Sequence, residues 1–211
     1  MTRFNRNFFA LLIVLSFTQI GWGLDALEYQ EYLASGWAKI SFVTPKKQRK
    51  KAFITLCTDA EKASAAHPKS AEIMTWRAII LASFAGEAGP LDALDSIKAA
   101  KTILLKAKKR DATALNGAVY TTLGSLYTQA PGWPISFGDK KLGLTYLKKG
   151  LEVAPDDIDA NYFMADYYVR TGDEAEARKY CRKALAAPAR RGRKTADDGR
   201  NAAIREEMAE L

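Results

Sequence analysis

Residues 161–188 read NYFMADYYVRTGDEAEARKYCRKALAAP, and this stretch decides the fold. Ala165, Tyr168, Gly172, Ala177 and Ala184 are spaced so that small residues fall on the facing sides of two helices joined by a tight turn. Gly172 falls where the first helix should end, as a C-terminal cap that takes positive φ. The pattern recurs upstream. Gly138-Asp139 returns as Gly172-Asp173, Gly143 as Ala177 and Gly150 as Ala184, each 34 residues later. Neither helix of such a pair can bury its apolar stripe alone, so successive pairs should stack.

Working toward the N-terminus, Leu123, Gly124 and Tyr127 match Met164, Ala165 and Tyr168 at a separation of 41, so seven extra residues fall between Tyr127 and Gly138. A further unit has Ala78 and Leu81 on its first helix and Ala100, Leu104 and Ala107 on its second. Those last three precede Gly143, Leu147 and Gly150 by a constant 43. Ala78 and Ala100 lie 22 residues apart where Ala165 and Ala177 lie 12 apart, which predicts a long turn in FAGEAGPLDAL. The weakest unit comes first, with Leu33, Ala34 and Trp37 on one helix and Leu56, Ala60 and Ala63 on the other. Thr195 with Asp198 resembles a capping box, and Ile204, Met208 and Leu211 form one stripe on a last helix that should cover the end of the stack. No segment alternates as a strand does, so the chain is predicted to be all-α.

These residues resemble the tetratricopeptide repeat family, most closely over 161–188 and more loosely over 70–188. The resemblance implies a right-handed superhelix of stacked antiparallel helix pairs. The expected organisation is a leader at 1–23, a degenerate helical repeat at 24–69, repeats with two turn insertions at 70–188 and a capping helix at 189–211. In that family the first helix of each pair lines a recognition groove. By position this gives Glu72, Thr75 and Ile79, then Thr121, Ser125 and Thr128, then Asp159, Tyr162, Asp166 and Arg170. The lysine and asparagine with which chaperone-binding members clamp a peptide carboxylate are missing from these places. From Ala118 onward the chain is also similar to small exported proteins associated with tripartite ATP-independent periplasmic (TRAP) transporters. That likeness implies an accessory protein that docks on a periplasmic solute-binding protein and holds a small ligand, with Tyr127, Trp133 and Phe137 bordering an apolar pocket. The insertion APGWPISFGD could place Trp133 over the groove mouth or simply pack it on the neighbouring helix.

The 211 residues are 48% apolar and 27% charged, with 14 Gly and 7 Pro, which excludes a disordered or collagen-like chain. Arg3 and Arg6, the apolar run from Phe8 to Phe17 and the small residues Gly21 and Gly23 read as a cleavable export signal, with an uncleaved anchor as the alternative. A periplasmic protein follows. Removing only Arg3 and Arg6 from a net charge of +8 leaves +6. Export separates the protein from nucleic acid, so the basic excess points to an acidic protein partner or to peripheral contact with anionic lipid. Lys46, Lys47, Arg49, Lys50 and Lys51 crowd a helix start, where the dipole disfavours cations. That breach marks them as a candidate surface, against the alternative of a merely solvated face.

Catalytic residue types are few. His67, the one histidine, stands beside Pro68 at a helix end with no partner for a triad. Phosphate-loop, dinucleotide and paired-histidine motifs are absent from the sequence. Asp156, Asp157 and Asp159 lack the glycine and terminal glutamate of a calcium loop and read as acids entering a helix. Asp159 and Asp166 are the one carboxylate pair a hydrolase could use. Cys57 and Cys181 fit buried apolar roles, with a bridge as the alternative. No enzyme, metal or cofactor is expected. The leading expectation is a periplasmic protein–protein interaction scaffold.

Overall fold

A computed structural model describes residues 24–211, and the export-signal reading lies outside them. The described chain forms α1 (Ala26–Phe42), α2 (Lys46–Ala66), α3 (Ala71–Ala85), α4 (Pro90–Arg110), α5 (Ala114–Gln129), α6 (Lys140–Val153), α7 (Ile158–Thr171), α8 (Glu174–Leu185) and α9 (Lys194–Glu210). Among the described residues there is no strand, only one isolated bridge between Gly132 and Gly138. No described helix is long and apolar enough to cross a membrane.

Helix boundaries follow local chemistry. Asp25 opens α1 with a complete capping box to Glu28, and Ser70, Asp139, Asp157 and Asp173 each accept a backbone N–H at the start of α3, α6, α7 and α8. Gly172 closes α7 at φ 82°, with its N–H and that of Asp173 turned back onto the last turn. No heavy atom lies within 4 Å of where its Cβ would stand, so only the backbone conformation selects glycine. Gly172→Ala should therefore cost about 1 kcal/mol in urea unfolding. The proposed capping box at Thr195 does not form. The helix starts two residues earlier, with Arg193 at the N-cap, Asp198 pairs with Lys194, and Asp197 accepts the Arg190 N–H instead.

Four helix pairs stack in chain order, as a tetratricopeptide-like solenoid requires. Ala78, Ala100, Ala107, Ala165, Ala177 and Ala184 are all fully buried between helices. In the third pair glycines take these places. A Cβ on Gly124 would stand 2.6 Å from Leu147 Cγ, and one on Gly150 2.6 Å from Thr121 Oγ1, so α5 and α6 approach more closely than an alanine pair allows. The extra length between Ala78 and Ala100 is helix rather than turn. Its alanines and leucines extend α3 and α4, and only residues 86–89 connect them. The second insertion is a true ten-residue loop at 130–139.

The odd-numbered helices form an inner layer in which α1 touches α3, α3 touches α5, α5 touches α7 and α7 touches α9. The helix α9 then packs on α1. The expected capping helix does bury Ile204 against α7 and α8, but its other side places Ala196 in the core formed by α1–α3. Gly199 meets the Phe42 ring so closely that any side chain there would displace it. An open superhelix has thus become a closed ring of five inner helices, with α2, α4, α6 and α8 outside, none of which touches another.

Candidate functional site

Closure leaves a cavity of about 570 Å³ at the centre, within the range of small-molecule pockets. Thr121, Ser125, Tyr162, Asp166 and Arg170 of the expected groove stand on its wall, as do Ile79 and Asp159. Glu72, Thr75 and Thr128 do not. Thr75 is fully buried and donates to the Ala71 carbonyl, and Thr128 donates to the Gly124 carbonyl where α5 meets α6.

One side of the wall is aromatic. Trp37 and Trp76 lie 6.0 Å apart by ring centroids, Phe42 meets Trp37 edge-on at 5.5 Å, and Trp37 Nε1 donates to Ser83 Oγ at 2.8 Å. An ionic network lies against them, with Arg193 over the Trp76 ring at 4.9 Å and Arg200 over the Phe42 ring at 5.6 Å. Asp159 accepts from Arg200 Nε at 2.7 Å and from Arg190 Nη1 at 2.8 Å, and Arg190 also donates to Asp197. Arg200 lies over the Tyr162 ring at 4.2 Å. Asp166 accepts both bonds of Arg170 Nε at 2.9 Å and one from Gln129 at 3.1 Å, tying α7 to α5.

These contacts set the protonation states. Burial works to raise the Asp159 pKa, but Arg200 and Arg190 outweigh it and hold the carboxyl well below the usual range. Asp157 is pushed the other way, by burial and then by the charge of Asp159, although it caps α7 and lies 3.6 Å from Arg190. The acids that read as dipole partners thus divide into a cap and the hub of an ion network.

Tyr127, Trp133 and Phe137 do not border the cavity. From the insertion only Ala130 and Pro131 reach it. Trp133 is 90% exposed and Ile135 62%, so Trp133 neither covers the groove nor packs on a helix. Gly138 N–H donates to the Pro131 carbonyl, closing the loop on itself with its tip outward. Phe137 folds back instead, edge-on to Tyr127 at 5.3 Å. Tyr127 stacks on Tyr146, and Tyr146 on Tyr120, filling the gap between α4 and α6. Lysines border this ladder. Lys101 lies 4.1 Å from the Phe137 centroid, Lys108 lies over Tyr146, and Lys149 over Tyr120. Among the described residues these three form no ion pair.

The basic run at the start of α2 is divided. Arg49 pairs with Glu87 and donates to the Thr44 carbonyl, and Lys50 pairs with Asp92, so neighbouring acids explain two of the five cations. Lys46, Lys47 and Lys51 are exposed. His67 ends α2, where its ring bonds the Leu24 carbonyl and meets Tyr29 edge-on. Cys57 and Cys181 are both free, and burial pushes each thiol up to about 11. No cluster of metal-ligating side chains occurs among the described residues.

Sequence reading missed Arg190, Arg193 and Arg200, and with them the aromatic side of Trp37, Phe42 and Trp76. One signal was present. Gly199 inside an otherwise helical stretch marks a close packing contact, which an end-capping helix alone does not require.

Residues 158–189 match the tetratricopeptide repeat family model, the same stretch from which the fold was read. No curated protein matches the chain.

Proposed function

We propose that the protein is an exported, non-enzymatic scaffold that engages an acidic protein partner through its outer face. Tetratricopeptide repeats generally mediate protein–protein contact, which supports a protein partner. The observation that carries this reading is the ladder of Tyr120, Tyr146 and Tyr127 bordered by the unpaired Lys101, Lys108 and Lys149. Tyr146 is buried in the stack, so the half-buried Tyr120 and Tyr127 supply its accessible aromatic edges, and cations without carboxylates give complementarity to an acidic partner. The concave side is less suited to a peptide, because α9 lies across it. Both carboxylates of the one candidate acid pair are held by guanidinium groups, which argues against a hydrolase.

Charge reversal tests the surface. Lys101→Glu, Lys108→Glu and Lys149→Glu together should reduce partner recovery from periplasmic extract more than tenfold. The same change at Lys46, Lys47, Lys50 and Lys51 should leave recovery nearly intact. Equal recovery with both variants would remove the outer face from consideration.

The central cavity favours a second, compatible reading. In it the protein holds a small ligand as an accessory of a periplasmic transport system of the TRAP type, docking on its solute-binding protein.

A further inference from the structure

Arg170, Arg190, Arg193 and Arg200 line the cavity with Asp157, Asp159 and Asp166, and Asp197 beside them also accepts from Arg190. The carboxylates are not shared evenly among the arginines. Arg170 is held by Asp166, and Arg190 and Arg200 by Asp159. Arg193 has no carboxylate within ion-pair distance among the described residues. Its guanidinium rests on the Trp76 ring, 4.9 Å from the centroid, and its Nε is buried with no hydrogen-bond partner. Burial and then the neighbouring Arg190 charge pull its pKa below that of a free arginine, against the opposing pull of Asp159, Asp197 and Asp157.

We propose that the cavity binds a small organic monocarboxylate, the carboxylate received by Arg193 and the apolar body lying against Trp37, Phe42 and Trp76. A guanidinium presents paired donors to two planar oxygens, and one unpaired guanidinium balances one charge. The rest of the wall is aromatic around Trp37, Phe42 and Trp76, with the hydroxyls of Thr121, Thr122 and Ser125 on the α5 side. A cationic ligand finds each carboxylate already engaged, and a polyanion finds a single free cation. The proposal rests on the ligand-holding reading given above and names the ligand's class and its anchoring residue.

The test is calorimetric titration of the purified protein with 4-phenylbutyrate, 4-phenylbutan-1-ol and 4-phenylbutylamine, alongside indole-3-propionate, octanoate and acetate. Phenylbutyrate should bind at least about tenfold more tightly than the alcohol, with the amine weakest and acetate, which lacks an apolar body, undetected. Arg193→Gln should bring the carboxylate down to the alcohol's affinity, and Arg193→Lys should restore part of the difference. If alcohol and carboxylate bind equally, or if Arg193→Gln keeps the preference, the anion site is wrong while the cavity remains a ligand site. If neither the alcohol nor any of the larger carboxylates binds, both readings fall. The comparison of carboxylate, alcohol and amine on the unsubstituted protein decides the charge class even if the variants do not fold.

Discussion

Asp159→Asn should lower stability by about 3 kcal/mol, because it removes the shared partner of two partly buried arginines while leaving their charges in place. For a chain of this size the melting temperature should fall by roughly 6–12 °C. Arg200 would keep only its contacts with the Phe42, Tyr162 and Phe163 rings, and α9 would lose its ionic tie to α7. Pairing Asp159→Asn with Arg200→Met should cost less than the two single changes summed, since the orphaned cation is then gone. The pH profile gives an independent check. The folded pKa of Asp159 lies below its unfolded value of about 3.9, so its contribution is fully present above that pH and is lost as pH falls toward the folded value. Asp157 acts in the opposite sense. Its pKa is raised, so its contribution is present below about pH 3.9 and fades as pH rises through its folded value. The variant should therefore show a flatter loss of stability than the parent between about pH 5 and pH 2. An unchanged profile would mean that the network does not hold the ring.

The second large effect is expected at Gly124→Leu. A Cβ there would stand 2.6 Å from Leu147 Cγ and 2.9 Å from the Leu147 backbone nitrogen, so a side-chain rotation alone cannot make room. Overpacking of a tight core costs 1–3 kcal/mol or more, and the backbone contact places this case near about 3 kcal/mol. Gly89→Leu is the control, because nothing lies within 4 Å of its Cβ position, and it should cost under about 1 kcal/mol. Chemical unfolding of both variants measures the difference. Similar midpoints for the two would contradict the close approach of α5 and α6.

Much of the helix pairing was legible because it depends on side-chain size at fixed spacing. Ala165, Ala177 and Ala184 are small because a neighbouring helix stands against them, and the 34-residue interval records that neighbour. The same logic extended to Gly143 and Gly150, and to the degenerate first unit through Leu33 and Trp37, all of which are buried. Caps at Asp157 and Gly172 are local, and short-range sequence predicts them well. Turn length between α3 and α4 was misjudged because a count of residues between two small positions does not distinguish loop from added helical turns.

The site was legible only in part. Repeat position led to Thr121, Ser125, Tyr162, Asp166 and Arg170, which stand on the cavity wall, and equally to Glu72, Thr75 and Thr128, which do not. It could not place Trp133, because loop direction depends on the hydrogen bond between Gly138 and Pro131 and on Phe137 rather than Trp133 packing on Tyr127.

By itself, the sequence determined that this protein is a stack of helix pairs and that small residues set their spacing, because both properties repeat over a fixed number of residues. Only the tertiary structure decided that α9 crosses to α1, that Asp159 joins Arg190 and Arg200, and that a cavity with an unpaired Arg193 results. Contacts between the two ends of the chain occur once and leave no period in the sequence, so they emerge only when the accumulated curvature of all four pairs brings those ends together.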